Sequence, residues 1–227
     1  MSPHKKETSE QLKSRTARIL RYLRKDFPTP KTALHFSNPL QLLIGTILSA
    51  QCTDKQVNIV TRDLFKKYRS VKDYSEAKQY ELELDIRSTG FYKNKAKNII
   101  ACSTMLLEKY DGIVPRSMDE LIELPGVGRK TANCVLGAAY GINEGVVVDT
   151  HVLRLSERLG LSHNETPEKV ELDLMQIIPR QDWYDFSNML ISHGRTVCNA
   201  RKPNCPACSL RQHCPSAEKF MTKFWRE

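Results

Sequence analysis

The stretch Leu121-Ile122-Glu123-Leu124-Pro125-Gly126-Val127-Gly128-Arg129-Lys130-Thr131-Ala132 decides how this chain is read. A short apolar-periodic run ends at Pro125, a residue that a helix interior does not tolerate. Two glycines follow, which permit a tight turn and a close approach to the backbone. A second helix is then expected, with Ala132, Val135, Leu136 and Ala139 on its apolar side. The amides of Gly126, Val127 and Gly128 are expected to face outward at its N-terminus. Such an array binds phosphate without reading a base. A plain interhelical turn can share the Pro-Gly-x-Gly run, but Leu124 before it and Arg129, Lys130 and Thr131 after it favour a nucleic-acid backbone as the ligand.

Outward from this hairpin the chain reads as helix. Leu12, Thr16, Ile19, Leu20, Leu23 and Phe27 recur at helical spacing. Asn38-Pro39 is a cap followed by proline at the first helical position, ahead of an apolar face formed by Leu40, Leu43, Ile44, Ile47 and Leu48. Asp54 is expected to cap the next helix, with Val57, Val60, Leu64 and Phe65 inward. Ala96, Ile99, Ile100, Leu106 and Tyr110 outline another, stopped near Asp111-Gly112. Ser117 and Glu120 have capping-box spacing, and Thr166-Pro167 opens a late helix. One stretch disagrees: Tyr80, Leu82, Leu84 and Ile86 alternate with polar residues, which is the strand period. Only Val146-Val147-Val148 offers a partner strand, so the expected fold class is all-α.

The 227 residues suffice for one large domain or two lobes with real cores. Thirty-five Lys and Arg against 26 Asp and Glu leave a formal charge of +9, which suits a polyanionic partner. Met1 to Lys13 is polar and has no signal-peptide core, and no apolar stretch is long enough to span a bilayer. The expected location is therefore intracellular, in the cytoplasm with the nucleoid, with no membrane partner. Seven cysteines in a reducing compartment argue against a disulfide framework. Four of them, Cys198, Cys205, Cys208 and Cys214, crowd the tail with six, two and five residues between them and suggest a metal site. Zinc accepts four thiolates, although zinc ribbons use two Cys-x-x-Cys pairs and this tail has one. A cubane iron–sulfur cluster suits the uneven spacing equally well. Arg201 and Lys202, between the first two cysteines, are candidate phosphate contacts.

Two residues invite a chemical reading. Lys130 is either a phosphate contact or an amine nucleophile, since a helix N-terminus and desolvation under DNA both disfavour the ammonium. A neutral lysine there can form a Schiff base. Asp149, after the valine run and before Thr150-His151, Val152, Leu155 and Leu159, is an N-cap, a carboxylate beside a cationic centre, or both.

These residues together resemble endonuclease III, within the helix-hairpin-helix DNA glycosylase superfamily. The resemblance rests on Leu48-Ser49-Ala50-Gln51 with Thr53-Asp54, the run from Leu124 to Ala132, Val148-Asp149-Thr150-His151, His193-Gly194-Arg195 and the four-cysteine spacing. It covers about residues 12 to 215. It implies a six-helix barrel over residues 31–142 carrying the hairpin, and a discontinuous iron–sulfur domain of residues 1–30 and 143–227, with DNA crossing the groove between the two lobes. It also implies a [4Fe-4S] cluster on the four cysteines, and a monomer acting on duplex DNA that holds a damaged base or abasic site. By the same resemblance Lys130 looks like the Schiff-base lysine and Asp149 like the catalytic aspartate. Gln51 looks like the residue that fills the gap left by a flipped nucleotide, with Phe91 a possible wedge at another loop tip. His151 and Arg195 are further candidate DNA contacts. Monofunctional relatives lack lysine at position 130, so its presence implies a glycosylase that is also an abasic-site lyase, acting on oxidised pyrimidines. Cys52 and Phe91 depart from the small residue and the leucine common at their positions. A DNA-binding helical protein without activity would share the charge, hairpin and cysteines, but would leave Lys130 and Asp149 unexplained.

Overall fold

A computed structural model describes residues 7–225; the first six residues of the polar N-terminal stretch lie outside it. Every regular element among the described residues is helical. In chain order these are α1 (Ser9–Asp26), α2 (Pro39–Leu48), α3 (Asp54–Lys67), α4 (Val71–Ser75), α5 (Gln79–Asp85), α6 (Tyr92–Tyr110), α7 (Met118–Glu123), α8 (Arg129–Val135), α9 (Thr150–Arg158), α10 (Pro167–Ile177), α11 (Trp183–Thr196) and α12 (Ala217–Phe224). A π-helical turn over Leu136–Tyr140 extends α8. The chain divides into two compact units. One is Thr32–Glu144; the other joins the described residues up to Lys31 with those from Gly145 onward.

The Thr32–Glu144 unit holds α2 to α8 around a core that includes Leu43, Ile44, Leu48, Val57, Tyr74, Leu82, Ile86, Ile99, Leu106, Leu121, Ala132 and Val135. Asn38 caps α2 by accepting the Gln41 amide, with Pro39 at the first helical position. Thr53, not Asp54, caps α3: its hydroxyl accepts the Gln56 amide, and Asp54 is the first helical residue. Both residue types cap well, and the extended backbone at Thr53 decides which does so here. At α7 Ser117 accepts the Glu120 amide, but the Glu120 carboxylate takes its return bond from the Ser117 hydroxyl at 2.6 Å. The reciprocal bond to the N-cap amide that would complete a capping box is therefore replaced by one to the N-cap side chain.

The alternating stretch Tyr80–Ile86 lies on α5 and its C-cap, Ile86. Leu82 and Ile86, four apart, are fully buried, while Tyr80 is 71% exposed and Leu84 is 50% exposed. The helical pair sets the burial, and the two intervening apolar residues face water. The three valines 146–148 are buried but join no strand.

In the other unit α1, α9, α10 and α11 enclose Ile19, Leu23, Val152, Leu155, Leu174, Phe186, Met189 and Leu190. Arg15 on α1 stitches the distant parts of the sequence together. Its guanidinium donates to the carbonyls of Leu159 (2.6 Å), Gly160 (3.0 Å) and His213 (3.1 Å). No helix among the described residues is long and apolar enough to cross a membrane.

Candidate functional site

The hairpin forms as its glycines require. α7 ends at Glu123, Gly126 adopts a left-handed φ of +80°, and Gly128 is the N-cap of α8. A Cβ on Gly126 would stand 2.8 Å from the Asn98 Cβ, so position 126 demands glycine for space as well as for φ. The Val127 amide donates to the Leu124 carbonyl at 3.0 Å and the Val127 side chain is buried. Of the three amides expected to face outward, this one closes the turn instead. Gly126, Gly128, Arg129 and Lys130 are exposed and Thr131 is half-buried. Arg129 donates to the Glu144 carbonyl at 3.4 Å. Lys130 is the second residue of α8, and one turn on the half-buried Cys134 has its thiol pushed up, chiefly by burial.

Gln51 and Phe91 are two of the three non-glycine residues with positive φ among the described residues, at +53° and +49°. Both are exposed, and Phe91, at 63%, is not packed in the core. Left-handed backbone at such residues costs free energy, and it persists only where the surroundings hold it. Behind the tips lies Lys95, 4% exposed, whose ammonium donates to the carbonyls of Leu48 and Thr89, both at 2.8 Å. The sequence carried a signal for it: Lys95, Ile99, Cys102 and Leu106 recur at helical spacing, which sets a charge on a core face.

In the second unit Asp149 is the N-cap of α9. Its Oδ1 accepts the amides of His151 and Val152, both at 2.8 Å. The His193-Gly194-Arg195 motif lies on α11 against α9. A Cβ on Gly194 would come within 2.9 Å of His151 Nδ1, so this glycine lets the two helices meet. Arg154 bridges them, donating to the carbonyls of Gly194 and Cys198, both at 3.1 Å. His151 is half-buried in this contact and Arg195 is exposed.

Cys198, Cys205, Cys208 and Cys214 line one cavity, walled in part by Leu155, Val197, Ala217 and Phe220. All four are free thiols. Burial, then the neighbouring cysteines, push the Cys205 and Cys214 thiols up; Cys208, half-buried, is pushed to about 11, chiefly by burial. Thiolates packed together there are unfavourable without a compensating cation. Among the described residues no three His, Cys, Asp or Glu side chains converge as one metal ion requires. Tetrahedral zinc, with bonds of ~2.3 Å, would hold its sulfurs about 3.8 Å apart. Arg158 was not foreseen in this role. It donates to the Cys198 Sγ at 3.3 Å and to the carbonyls of Asn199 (2.9 Å) and Ala200 (2.7 Å), bracing the exposed Arg201–Lys202 loop.

Residues 44–180 match the family described as HhH-GPD superfamily base excision DNA repair protein. The chain is 51% identical over 206 residues to endonuclease III of Synechocystis sp., covering 91% of this chain and 94% of that one. The chain belongs to the endonuclease III family. Endonuclease III of Bacillus subtilis is 46% identical over 85% of this chain and 88% of its own length. That of Escherichia coli K12 is 40% identical over 91% of this chain and 98% of its own. A solved non-covalent endonuclease III–DNA complex matches with TM-score 0.88 at 46% identity, over 92% of this chain and 98% of that one. A trapped endonuclease III–DNA covalent intermediate, an estranged-adenine complex, matches with TM-score 0.87 at 47% identity and the same coverage.

Proposed function

We propose that this chain is a bifunctional DNA repair glycosylase. It would remove a damaged base from duplex DNA, an oxidised pyrimidine by family likeness, and cleave the resulting abasic site by β-elimination. The observation that carries this reading is Lys130. It is the exposed second residue of the helix that follows the Gly126–Gly128 turn, in a chain similar over 92% of its length to an endonuclease III caught in a covalent intermediate with DNA.

In this reading the helix-hairpin-helix turn in the Thr32–Glu144 unit grips a phosphate, and the lesion is flipped out because C1′ is inaccessible inside the base stack. The neutral Lys130 amine attacks C1′. The N-glycosidic bond breaks and its electron pair leaves with the base, which takes up a proton. The C1′–O4′ bond of the resulting N,O-acetal then breaks, O4′ takes up a proton and an imine forms; the C2′ proton becomes acidic, and its loss expels the 3′ phosphate. Asp149 supports oxocarbenium character at C1′ and assists deprotonation of Lys130. Its Oδ1 holds the α9 cap, which would leave Oδ2 for this work. Gln51 and Phe91 enter the gap in the stack. Arg129, Thr131, His151, Arg195, Arg201 and Lys202 are proposed further DNA contacts, and a monomer in the cytoplasm, on nucleoid DNA, would suffice.

The Cys198, Cys205, Cys208 and Cys214 thiols would hold a [4Fe-4S] cluster. Supporting this are their shared cavity and their spacing in a chain of the endonuclease III family. When bound, it would supply a structural cross-link and, through its charge, stabilise the thiolates. No proposed step runs through it.

Borohydride trapping on DNA with an abasic site tests the proposal. Lys130→Gln should abolish the trapped adduct yet bind DNA within about tenfold of the parent, the scale of one lost phosphate-range contact. Undiminished trapping by the variant would remove Lys130 from the mechanism.

A further inference from the structure

We infer that Lys95 is a positioning residue that fastens the Gln51 and Phe91 tips to one fixed point, so that they enter the DNA stack as a single wedge. The inference rests on the proposed gap-filling role of those tips. Three bonds carry it. The Lys95 amide donates to the Phe91 carbonyl at 3.1 Å, the first helical bond of α6. Its ammonium donates to the carbonyl of Leu48, the last residue of α2 before the Gln51 turn. It also donates to the carbonyl of Thr89, two residues before Phe91. One side chain thus bridges the backbone behind both left-handed tips. The hydrogen bond from Gln56 Nε2 to Ser88 Oγ, 2.8 Å, is a second tie between the same two segments, from the start of α3 to the turn before Gly90.

A lysine is costly at this place. Its ammonium is buried in the first turn of α6, where the helix dipole disfavours a cation. Burial pushes its pKa down, against the opposing effect of the Cys52 thiol nearby. Among the described residues no carboxylate pairs with it, and two backbone carbonyls accept its protons instead. Core packing alone would be served better by methionine. What an ammonium adds is several short donors radiating from one atom, which can hold two chain segments that share no secondary structure.

Lys95→Met keeps the shape and removes the donors. The readout is the single-turnover rate on a duplex lesion beside that on an abasic site in single-stranded DNA, each normalised to borohydride-trapped enzyme so that only folded protein counts. The duplex rate should fall at least about tenfold, the scale of losing buried hydrogen bonds, with the single-strand rate within about twofold. A 2-aminopurine opposite the lesion should report slower or smaller unstacking in the variant. Should Lys95→Met yield no folded protein, Lys95→Gln, whose shorter amide still donates, should show a smaller loss of the same selectivity. Equal loss on both substrates, or none, would overturn the inference. Gln51→Ala is run alongside. If it is duplex-selective and Lys95→Met is not, only the Lys95 inference falls. If Gln51→Ala is itself unselective, the gap-filling reading falls and takes this inference with it.

Discussion

At the scale of single residues, Asp149 and Gly128 separate structural from chemical roles. Asp149 Oδ1 caps α9 through two amides, and asparagine offers the same oxygen. Asp149→Asn should therefore shift stability by no more than about 0.5 kcal/mol, because Asn and Asp cap about equally well. Its glycosylase rate should fall by orders of magnitude. Thermal melting and single-turnover kinetics on one preparation check the two halves; a large drop in melting temperature with normal activity would mean that the residue is a cap and nothing more. The hairpin glycines make a matching pair. A Cβ on Gly128 meets nothing within 4 Å, whereas one on Gly126 strikes Asn98 at a left-handed φ. Gly126→Ala should destabilise by roughly 1–3 kcal/mol through strain. Gly128→Ala should shift stability by no more than about 1 kcal/mol, because alanine is a poorer N-cap than glycine but stiffens the unfolded chain, so a larger loss of DNA affinity reports how closely a phosphate approaches that backbone. Unchanged affinity in Gly128→Ala would argue against such an approach.

At the scale of elements, α5 shows how packing chooses between two periods in one sequence. The run from Tyr80 to Ile86 fits a strand by alternation, yet Leu82 and Ile86 are wholly buried and Tyr80 and Leu84 are exposed. A strand would have put all four on one face and needed a partner edge, and the described residues form no strand. Leu82→Ala should cost about 2–5 kcal/mol, the usual range for a buried leucine. Tyr80→Ala should cost less than about 0.5 kcal/mol, as an exposed site. Urea denaturation of both variants tests this, and similar losses would contradict the helical assignment. The caps follow the same logic: Thr53 rather than Asp54 starts α3 because its backbone is the extended one, while both carry a suitable oxygen.

At the scale of the whole molecule, the cysteine tail has few apolar residues of its own. Its order depends on the cavity shared by the four thiols, on Arg158, and on Trp225, whose indole donates to the Pro203 carbonyl at 3.1 Å. The purified protein should be brown, with about four irons per chain if the site is a cubane. Cys208→Ser should yield insoluble or iron-free protein, since such a segment folds with its metal. Oxidative removal of iron should expose residues 199–216 to protease before the Thr32–Glu144 unit is cut. A colourless, fully active preparation with one zinc per chain would refute the cluster.

The sequence by itself determined the helical class, the hairpin, the cap at Asp149 and the crowding of four cysteines. Each rests on local chemistry: period, capping oxygens, glycine freedom and thiol spacing. The endonuclease III resemblance added the roles proposed for Lys130 and Asp149. Only the tertiary structure decided which of two valid periods α5 obeys, that the Val127 amide closes its own turn, and that Phe91 stands in solvent. It also brought Lys95 beneath two loop tips 40 residues of sequence apart, with carbonyls 47 and 6 residues away accepting its bonds. Such facts lie beyond local reading, because burial and backbone hydrogen-bond partners are set by which distant segments pack together, and no window of sequence contains both.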